Sequence, residues 1–321
     1  MRHRQQNGSS WPRWLKLIAT LVLTLVVVIV GALVYLVAPA LPDPVPGFAA
    51  RKGELVSAQE LRRTVEGEDL IVETRLQSSS GLMVDIGVRT PRAATSKLPL
   101  VVLLGGLRTG HRAVYLTKDA HGIAIAALSY PFPGNPRATG LEYVTWLPKV
   151  QTALIDVTPA VMLAMDYLAQ QPHVDLARVD LVGGSLGAFM VSVPASFDTR
   201  FKRVWLVHGA GDPHGVFAHL LRPYITFTPL RDLTAQLLVL ITASHHLRPE
   251  KWVGRIAPRP VIAVNARDDE SMPPASVAAL HQALPPGSEV IWTEGPHVRP
   301  GRNAVLEGLI ALVTERVRET K

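Results

Sequence analysis

Residues 178–188 combine a buried strand, a sharp turn and the start of a helix. An apolar run ends at two glycines, a single serine follows, and a segment of small residues then continues with helical character. Gly183, Ser185 and Gly187 form the pattern G-x-S-x-G, which places a serine on a strained turn between a strand and a helix. Glycines on both sides let such a turn close without a clash of side chains. The segment therefore predicts an α/β fold with Ser185 as a candidate nucleophile.

Two other interpretations fit the same segment. A glycine-rich turn in any α/β fold would use Ser185 only as a helix N-cap. A dinucleotide-binding loop is a weaker alternative, because the spacing G-x-G-x-x-G is absent. A catalytic role for Ser185 requires a histidine and a carboxylate later in the chain, each placed just after a strand.

Short apolar runs alternate with helical patterns along most of the chain. Strands alternating with helices, each strand apolar throughout, indicate a parallel sheet that is covered on both faces. Residues 69–76 and 82–89 instead alternate in polarity around a Ser-Gly turn and predict an antiparallel hairpin. The remaining elements are predicted as strands at residues 98–104, 122–128, 203–207, 260–265 and 289–292, and as helices at residues 110–120 and 151–171, the second of which Pro159 would kink.

Residues 209–259 interrupt this alternation between two predicted strands. The segment contains an apolar predicted helix at residues 233–243 among prolines and histidines. Ligands bind at the carboxyl ends of the strands in sheets of this kind, so an insertion of this length is typical of a lid or cap over that edge. A peripheral structural excursion is the alternative.

Two polar loops supply the groups that a nucleophilic serine needs. Asp268 and Asp269 stand in a turn just beyond the predicted strand 260–265, and His297 lies in the loop after the strand 289–292. Serine, carboxylate and histidine thus occur in that order, each after a separate strand of one sheet. We therefore predict a catalytic triad of Ser185, one of the two aspartates and His297.

This order of groups resembles that of the α/β-hydrolase fold, and the resemblance extends from about Asp69 to the C-terminus apart from the insertion. The loop N-A-R-D-D-E-S-M-P at residues 265–273 is similar to the acid loop of the esterase and dienelactone-hydrolase-like branch. In that branch the acid stands four residues before a proline, which implies Asp269 as the acid and Asp268 as a turn cap. The resemblance also implies a mostly parallel central sheet flanked by helices, and ester hydrolysis without a cofactor.

The three groups have complementary tasks in such a reaction. His297 would remove the Ser185 proton during attack and later protonate the leaving group. Asp269 would fix the imidazole tautomer and stabilise the imidazolium. We therefore expect a serine hydrolase that cleaves a carboxylic ester, a small-molecule substrate, through an acyl-enzyme. Peptide cleavage and acyl transfer use the same triad, and a non-catalytic binding protein on this fold is a further alternative.

The oxyanion of such a reaction needs two backbone N–H donors. We expect one from Leu186, directly after the nucleophile, and the other from the loop after the strand 98–104. Leu107 is the first choice in that loop and Gly106 the second. Family members often carry His-Gly-x there, whereas this chain has glycine at Gly105. The oxyanion hole can survive that difference because only the backbone donates.

Residues 17–38 carry no charge and would span about 33 Å as a helix, enough to cross a bilayer. Trp11, Trp14 and Tyr35 flank this run as interfacial aromatics do. We predict a transmembrane helix at 17–38, a basic cytoplasmic segment at 1–16, a proline-rich linker at 39–53 and an extracytoplasmic hydrolase domain at 54–321, periplasmic or at the cell surface. A cleaved signal peptide is the alternative, because Ala-Pro-Ala at residues 38–40 has small residues at the required spacing.

The charge of the chain excludes other classes of partner. The formal net charge is +7, but the first 42 residues contain no acid and hold four of the basic residues: Arg2, Arg4, Arg13 and Lys16. The remainder is only slightly basic and shows no basic stripe with interleaved aromatics, so we expect no nucleic-acid partner. All basic residues near the apolar run lie on its N-terminal side, which predicts a cytoplasmic N-terminus.

The side chains that could ligate metals fit no compact motif. The chain has no cysteine, which excludes disulfides and thiolate metal sites. The spacing of the histidines in and near the insertion does not match a metal motif, so we predict no metal and no cofactor; these histidines are His208, His214, His219, His245 and His246. Arg108 and His111, near the oxyanion loop, are candidates for holding an anionic group of a substrate.

Overall fold

The computed structural model describes residues 12–106, 109–132 and 142–319. Short 3₁₀ turns at Ala38–Ala40, Val45–Gly47, Gly110–Tyr115 and Val253–Ile256 connect some of its elements. The helices and strands, numbered in chain order, are α1 (Arg13–Val37), α2 (Phe48–Lys52), β1 (Leu55–Glu66), β2 (Asp69–Ser78), β3 (Met83–Pro91), β4 (Leu98–Leu104), β5 (Ala124–Leu128), α3 (Glu142–Leu168), β6 (Val174–Gly184), α4 (Leu186–Met190), α5 (Ser192–Phe197), β7 (Arg203–Val207), α6 (Pro213–Leu221), α7 (Thr228–Ile241), α8 (Ser244–Leu247), α9 (Pro249–Trp252), β8 (Val261–Ala266), α10 (Pro274–Ala283), β9 (Glu289–Thr293) and α11 (Asn303–Glu319).

Nine strands form one mixed sheet in the order β1-β2-β3-β5-β4-β6-β7-β8-β9. Strands β1, β2, β3 and β5 pair antiparallel, and every pair from β5–β4 to β8–β9 is parallel. The predicted hairpin is β2–β3, and the predicted apolar strands are β4, β5, β7, β8 and β9. The mostly parallel sheet flanked by helices is therefore confirmed. Its parallel half brings the ends of β4, β6, β7, β8 and β9 to one edge.

The two faces of this sheet are covered by different elements. On one side, the filled face, helices α3, α4, α5, α9 and α10 pack against alternate strand residues such as Leu100 and Val102. On the other side, the open face, α11 and the turn at Gly110–Tyr115 cover the intervening residues such as Val101. This alternation follows from the two-residue period of a strand.

Strand β1 was not predicted from the sequence. It lies at the edge of the sheet, pairs antiparallel with β2, and is exposed along most of its length. An edge strand with both faces in water needs no apolar stripe, so its sequence lacks the pattern by which strands are recognised.

The predicted helix at 110–120 is wrong: the chain forms a 3₁₀ turn at Gly110–Tyr115 and then leaves the helical path. The physical reason is Arg89, a fully buried residue of β3. Its guanidinium donates hydrogen bonds to the carbonyl oxygens of Thr117, at 2.9 Å, and Lys118, at 2.7 Å. The carboxylate of Asp69 binds the same guanidinium at 2.7 Å and accepts the Ala120 N–H at 2.7 Å. These side chains bind backbone groups that a continuing helix would have paired with its own residues.

Helix α1 is long and apolar enough to span a membrane. From Arg13 to Ala40 its mean hydropathy reaches 3.1 with none of that window buried. A signal sequence would have the same properties. The segment that follows α1 packs on the folded domain, because Phe48 is buried and Lys52 pairs with Asp166. The end of α1 is also bound: Gln151 of α3 donates hydrogen bonds to the carbonyl oxygens of Leu36, at 3.2 Å, and of Ile241 in α7, at 2.7 Å.

The insertion divides into two parts in the structure. Leu247, Trp252, Val253 and Ile256 are buried in the core of the filled face. Helices α6 and α7 are more exposed. The predicted helix at 233–243 corresponds to the second part of α7, which begins earlier and ends at Ile241. Any lid function therefore belongs to α6 and α7, because the rest of the insertion is part of the core.

Candidate active site

The turn between β6 and α4 holds Ser185 in an unusual backbone conformation. Its φ angle is +54°, which is uncommon for a residue with a side chain. Close packing on both sides imposes this turn: a Cβ on Gly187 would collide with the carbonyl oxygen of Leu104, and one on Gly183 would collide with Gly187. Both glycines of the sequence motif are therefore needed for space.

Ser185, His297 and Asp269 form a continuous hydrogen-bonded chain. Ser185 Oγ lies 2.8 Å from His297 Nε2, and His297 Nδ1 lies 2.8 Å from Asp269 Oδ2. The other carboxylate oxygen of Asp269 accepts the backbone N–H groups of Ser271, at 2.8 Å, and Met272, at 3.0 Å. Asp268 is exposed. The geometry thus brings together the three side chains selected from the sequence.

The backbone of His297 is held on both sides by an ion pair that sequence reasoning missed. Glu270 accepts the His297 N–H at 3.1 Å, and Arg302 donates to the His297 carbonyl oxygen at 2.8 Å. Arg302 and Glu270 also bind each other at 2.7 Å. The hydrogen bond from Arg302 lowers the pKa of Glu270 to about 2, so the pair is charged over the whole neutral range.

His208, directly after β7, is fully buried beside Asp269 and His297. Its Nδ1 accepts the Val298 N–H at 2.9 Å, and its ring centre lies 5.6 Å from that of His297. Burial lowers the pKa of His208 to about 4, so the ring is neutral at physiological pH. An Nδ1 that accepts an N–H carries no proton, which assigns the proton to Nε2. His208 Nδ1 therefore has no hydrogen to donate to Asp269 Oδ2, 3.8 Å away.

His208, Asp269 and His297 also place potential metal-ligating atoms within 4.8 Å of one another. The nitrogen lone pair of His208 is already engaged by the Val298 N–H. The Nδ1 of His297 and the carboxylate of Asp269 are engaged with each other. The arrangement fits a hydrogen-bonded relay better than a cation site, because a cation would have to break these bonds.

The loop after β4 approaches the serine from the other side. A Cβ placed on Gly106 would lie 3.9 Å from Ser185 Oγ. The Tyr130 hydroxyl donates to the Gly105 carbonyl oxygen at 2.9 Å, and burial raises the pKa of Tyr130, which keeps this donor protonated. Because C=O and N–H point in opposite directions across a peptide bond, this contact fixes the direction of the Gly106 N–H. Leu107 lies outside the described residues.

Leu186 begins helix α4 directly after the serine. The first N–H groups of a helix have no partner within it and are suited to an anion. The position of Leu186 is therefore the one required of an oxyanion donor.

A cavity of about 450 Å³ begins at this site and extends along the open face of the sheet. Gly106, Ser185 and His297 line one end, and apolar residues of β4, β5, the turn at Gly110–Tyr115 and α11 line the rest. No residue of the insertion is among its walls in the described part of the chain.

The other candidates from the sequence have ordinary structural partners. His214 and His219 approach the carbonyl oxygens of Asp232, at 3.3 Å, and Glu270, at 2.9 Å. His245 and His246 contact backbone carbonyls near α7 and α1. They do not converge on one point among the described residues.

His111, a candidate for anion binding, has both ring nitrogens engaged. They lie 3.0 Å from Glu73 Oε2 and 2.8 Å from Ser129 Oγ. A ring held in this way beside a carboxylate is not available to an anion. Arg108, the other candidate, lies outside the described residues.

No protein-family model and no curated protein matches the chain. Solved structures do resemble it. Acetyl xylan esterase 1 from Thermoanaerobacterium sp. JW/SL YS485 is 14% identical, with 85% of this chain and 93% of that one covered at a TM-score of 0.60. The acetyl xylan esterase from Paenibacillus sp. R4 is 17% identical, with 84% and 91% covered at 0.60. The α/β hydrolase GrgF from Penicillium sp. sh18 is 13% identical, with 77% and 99% covered at 0.53. Strand order, the turn at Ser185 and these likenesses together show that the chain has the α/β-hydrolase fold.

Proposed function

We propose that this chain is a membrane-anchored serine hydrolase that cleaves a carboxylic ester through an acyl-enzyme. The observation that carries the proposal is the relay from Ser185 Oγ through His297 to Asp269, with 2.8 Å at both steps. Nucleophile, base and orienting acid at these distances are the arrangement that acyl transfer requires. The structural likeness to esterases supports an ester as the substrate.

The proposed reaction uses each group in turn. Ser185 Oγ attacks the ester carbonyl while its proton moves to His297 Nε2, and the negative oxygen is stabilised by the N–H of Leu186 and a donor from the loop after β4. His297 then protonates the departing alkoxide, and the acyl group stays on Ser185. A water molecule gives its proton to His297 and attacks the acyl-enzyme, which releases the carboxylic acid and restores the serine.

Fluorophosphonate labelling tests the proposal directly, because this reagent reports an activated serine. We expect one label on the full-length chain and none on Ser185→Ala. Ser192→Ala is the matched control: this serine is also buried near the elbow, and its hydroxyl has no hydrogen-bond partner in the described part of the chain. A folded wild-type protein that takes up no label would refute the proposed function and favour a binding protein on this fold.

The membrane anchor is the second element of the proposal. Helix α1 has the length and hydropathy of a single membrane span, and the basic residues before it favour a cytoplasmic N-terminus. The hydrolase domain would then lie outside the cytoplasm. Protease added to intact cells or spheroplasts should digest that domain, and protection of the domain would refute this topology. An N-terminal sequence of the mature protein that starts after residue 40 would instead show a cleaved signal peptide.

A further inference from the structure

We propose that the cavity on the open face binds an unbranched alkyl chain of the ester, of about ten carbons. This inference rests on the proposed function, because the cavity begins at Ser185 and His297. It extends that function by naming the class of substrate: an ester with one long aliphatic arm, either in its acyl group or in its alcohol.

The walls of the cavity are apolar on all the elements that form them. Val101 and Ile125 come from the sheet, Ala113 from the 3₁₀ turn, and Leu309 and Val313 from α11. The cavity volume of about 450 Å³ lies within the range of small-molecule sites, ~300–1,000 Å³. An apolar space of this size favours an apolar ligand over water, since water needs polar partners.

The threonines in the wall do not change this conclusion. Thr109, Thr117 and Thr314 each donate their hydroxyl proton to a nearby backbone carbonyl oxygen, at 2.9, 3.3 and 2.8 Å. Arg299, the charged residue among the described walls, lies at the mouth and is largely exposed. The interior therefore presents no hydroxyl proton that a ligand would have to accept.

The length of the cavity indicates the length of the chain. Its walls run down β4 from Gly105 to Val101, which is about 13 Å at ~3.3 Å per residue. They also run along α11 as far as Val313. The start of this helix lies near the active site, because Arg302, just before it, binds the His297 carbonyl oxygen. An extended chain advances roughly 1.1–1.2 Å per bond, since a residue of three bonds spans ~3.3–3.6 Å, so the cavity holds about ten to twelve carbons.

The test is a chain-length series with the full-length protein in a steroid-based detergent, which has no flexible alkyl chain to compete. One arm varies the acyl group of nitrophenyl esters from acetyl to tetradecanoyl. The other arm keeps acetyl and varies the alkyl alcohol. In the arm that fills the cavity, kcat/KM should rise about fourfold for each added methylene until the chain is about ten carbons long, and then level off or fall.

Val313→Phe should shorten the cavity at its deep end. We expect kcat/KM for the ester with the ten-carbon chain to fall at least tenfold more than kcat/KM for the acetate ester. Leu312→Phe is the matched control, because Leu312 directly precedes Val313 in α11, packs on the same core and is not part of the wall. Ala113→Leu, on the opposite wall, provides a second test if Val313→Phe does not fold.

The outcomes separate the two proposals. If acetate esters are turned over but kcat/KM does not depend on chain length in either arm, the proposal of an alkyl-chain site is overturned and the proposal of a hydrolase stands. A loss at Val313→Phe that is equal for all lengths overturns the alkyl-chain site as well. If no ester is turned over and Ser185 is not labelled, the hydrolase fails. Calorimetric binding of decanoate, absent for acetate and abolished by Val313→Phe, would then still support the cavity, and absence of decanoate binding would overturn it.

Discussion

The filled and open faces of the sheet are held together in different ways. On the filled face, helices interdigitate with the strands and leave fully buried side chains such as Leu100, Leu163 and Trp252. On the open face, α11 is tied near its ends by polar contacts. Arg203 of β7 donates to the Arg316 carbonyl oxygen at 3.1 Å, and the Arg302–Glu270 pair holds the other end.

The difference shows how a fold keeps space empty inside. Apolar packing stabilises a layer only where side chains fill the gap, so a helix held by packing alone would move inward and close a cavity. Polar contacts near both ends of α11, together with its buried side chains Leu309, Val313 and Val317, fix the position of the helix over the cavity. One face therefore contributes mainly stability, and the other contributes the site and its cavity.

The largest expected effect is at the relay. His297→Ala should lower kcat/KM for an acetyl ester by about 10³-fold or more, because the serine loses its base. Steady-state kinetics with folded protein, checked by circular dichroism, measures it. Leu163→Ala, on the filled face, is the control and should leave kcat/KM per folded molecule unchanged. Turnover of His297→Ala close to wild type would remove this residue from the chemistry.

The next effect compares the two faces through one substitution. Leu163→Ala should reduce the free energy of unfolding by about 3–5 kcal/mol, since it opens a cavity in a close-packed layer. Leu309→Ala, on α11, should cost only about 2 kcal/mol, because that side chain already borders an empty space and has fewer contacts to lose. Denaturant unfolding of both variants measures the difference. Equal losses would contradict the contrast between the faces.

The smallest expected effect is a pH dependence of stability caused by His208. The unfolded chain binds a proton at this histidine below about pH 6.5, whereas the folded pKa is about 4. The unfolded state therefore gains protons first as the pH falls, so the stability is full above pH 6.5 and declines toward pH 4. A difference of this size amounts to at most about 3 kcal/mol.

His208→Asn isolates this contribution. An asparagine oxygen can still accept the Val298 N–H, and asparagine tolerates the positive φ of 53° at this position. It does not titrate, so the decline between pH 6.5 and 4 should become shallower than in the wild type. The nearby carboxylates of Asp269 and Glu270 are present in both proteins, so the comparison isolates residue 208. Identical slopes would show that His208 is charged in the folded state or equally shielded in the unfolded one.

The sequence signals of the candidate site are local. Ser185 directly follows β6, whereas Asp269 and His297 lie three and four residues beyond the ends of β8 and β9. The carboxyl ends of neighbouring parallel strands meet at one edge. His208 directly follows β7 and so carries a similar signal, yet we considered it only among possible metal ligands. Its place at a strand end was the cue to its position beside the relay.

The features that the sequence did not predict depend on distant contacts. The 3₁₀ turn at Gly110–Tyr115 is set by Arg89, which lies on another strand. The cavity lies between that turn, the sheet and α11. An apolar pattern shows which residues face inward, but it does not show whether they meet. Arg89, a charged residue at the end of the predicted strand 82–89, was the available signal.

Gln151 of α3 joins three parts of the molecule, because its side chain binds the end of α1 and the end of α7. Phe48, in the segment after α1, is buried in the domain. An enzyme joined to its membrane helix by a flexible linker can adopt many heights and orientations above the bilayer. With α1 in a membrane, this domain would instead be held at a fixed orientation close to the bilayer. Ser185 would then act at one height and one tilt relative to the bilayer. The distance of an ester bond from the membrane surface would therefore help to select the substrate.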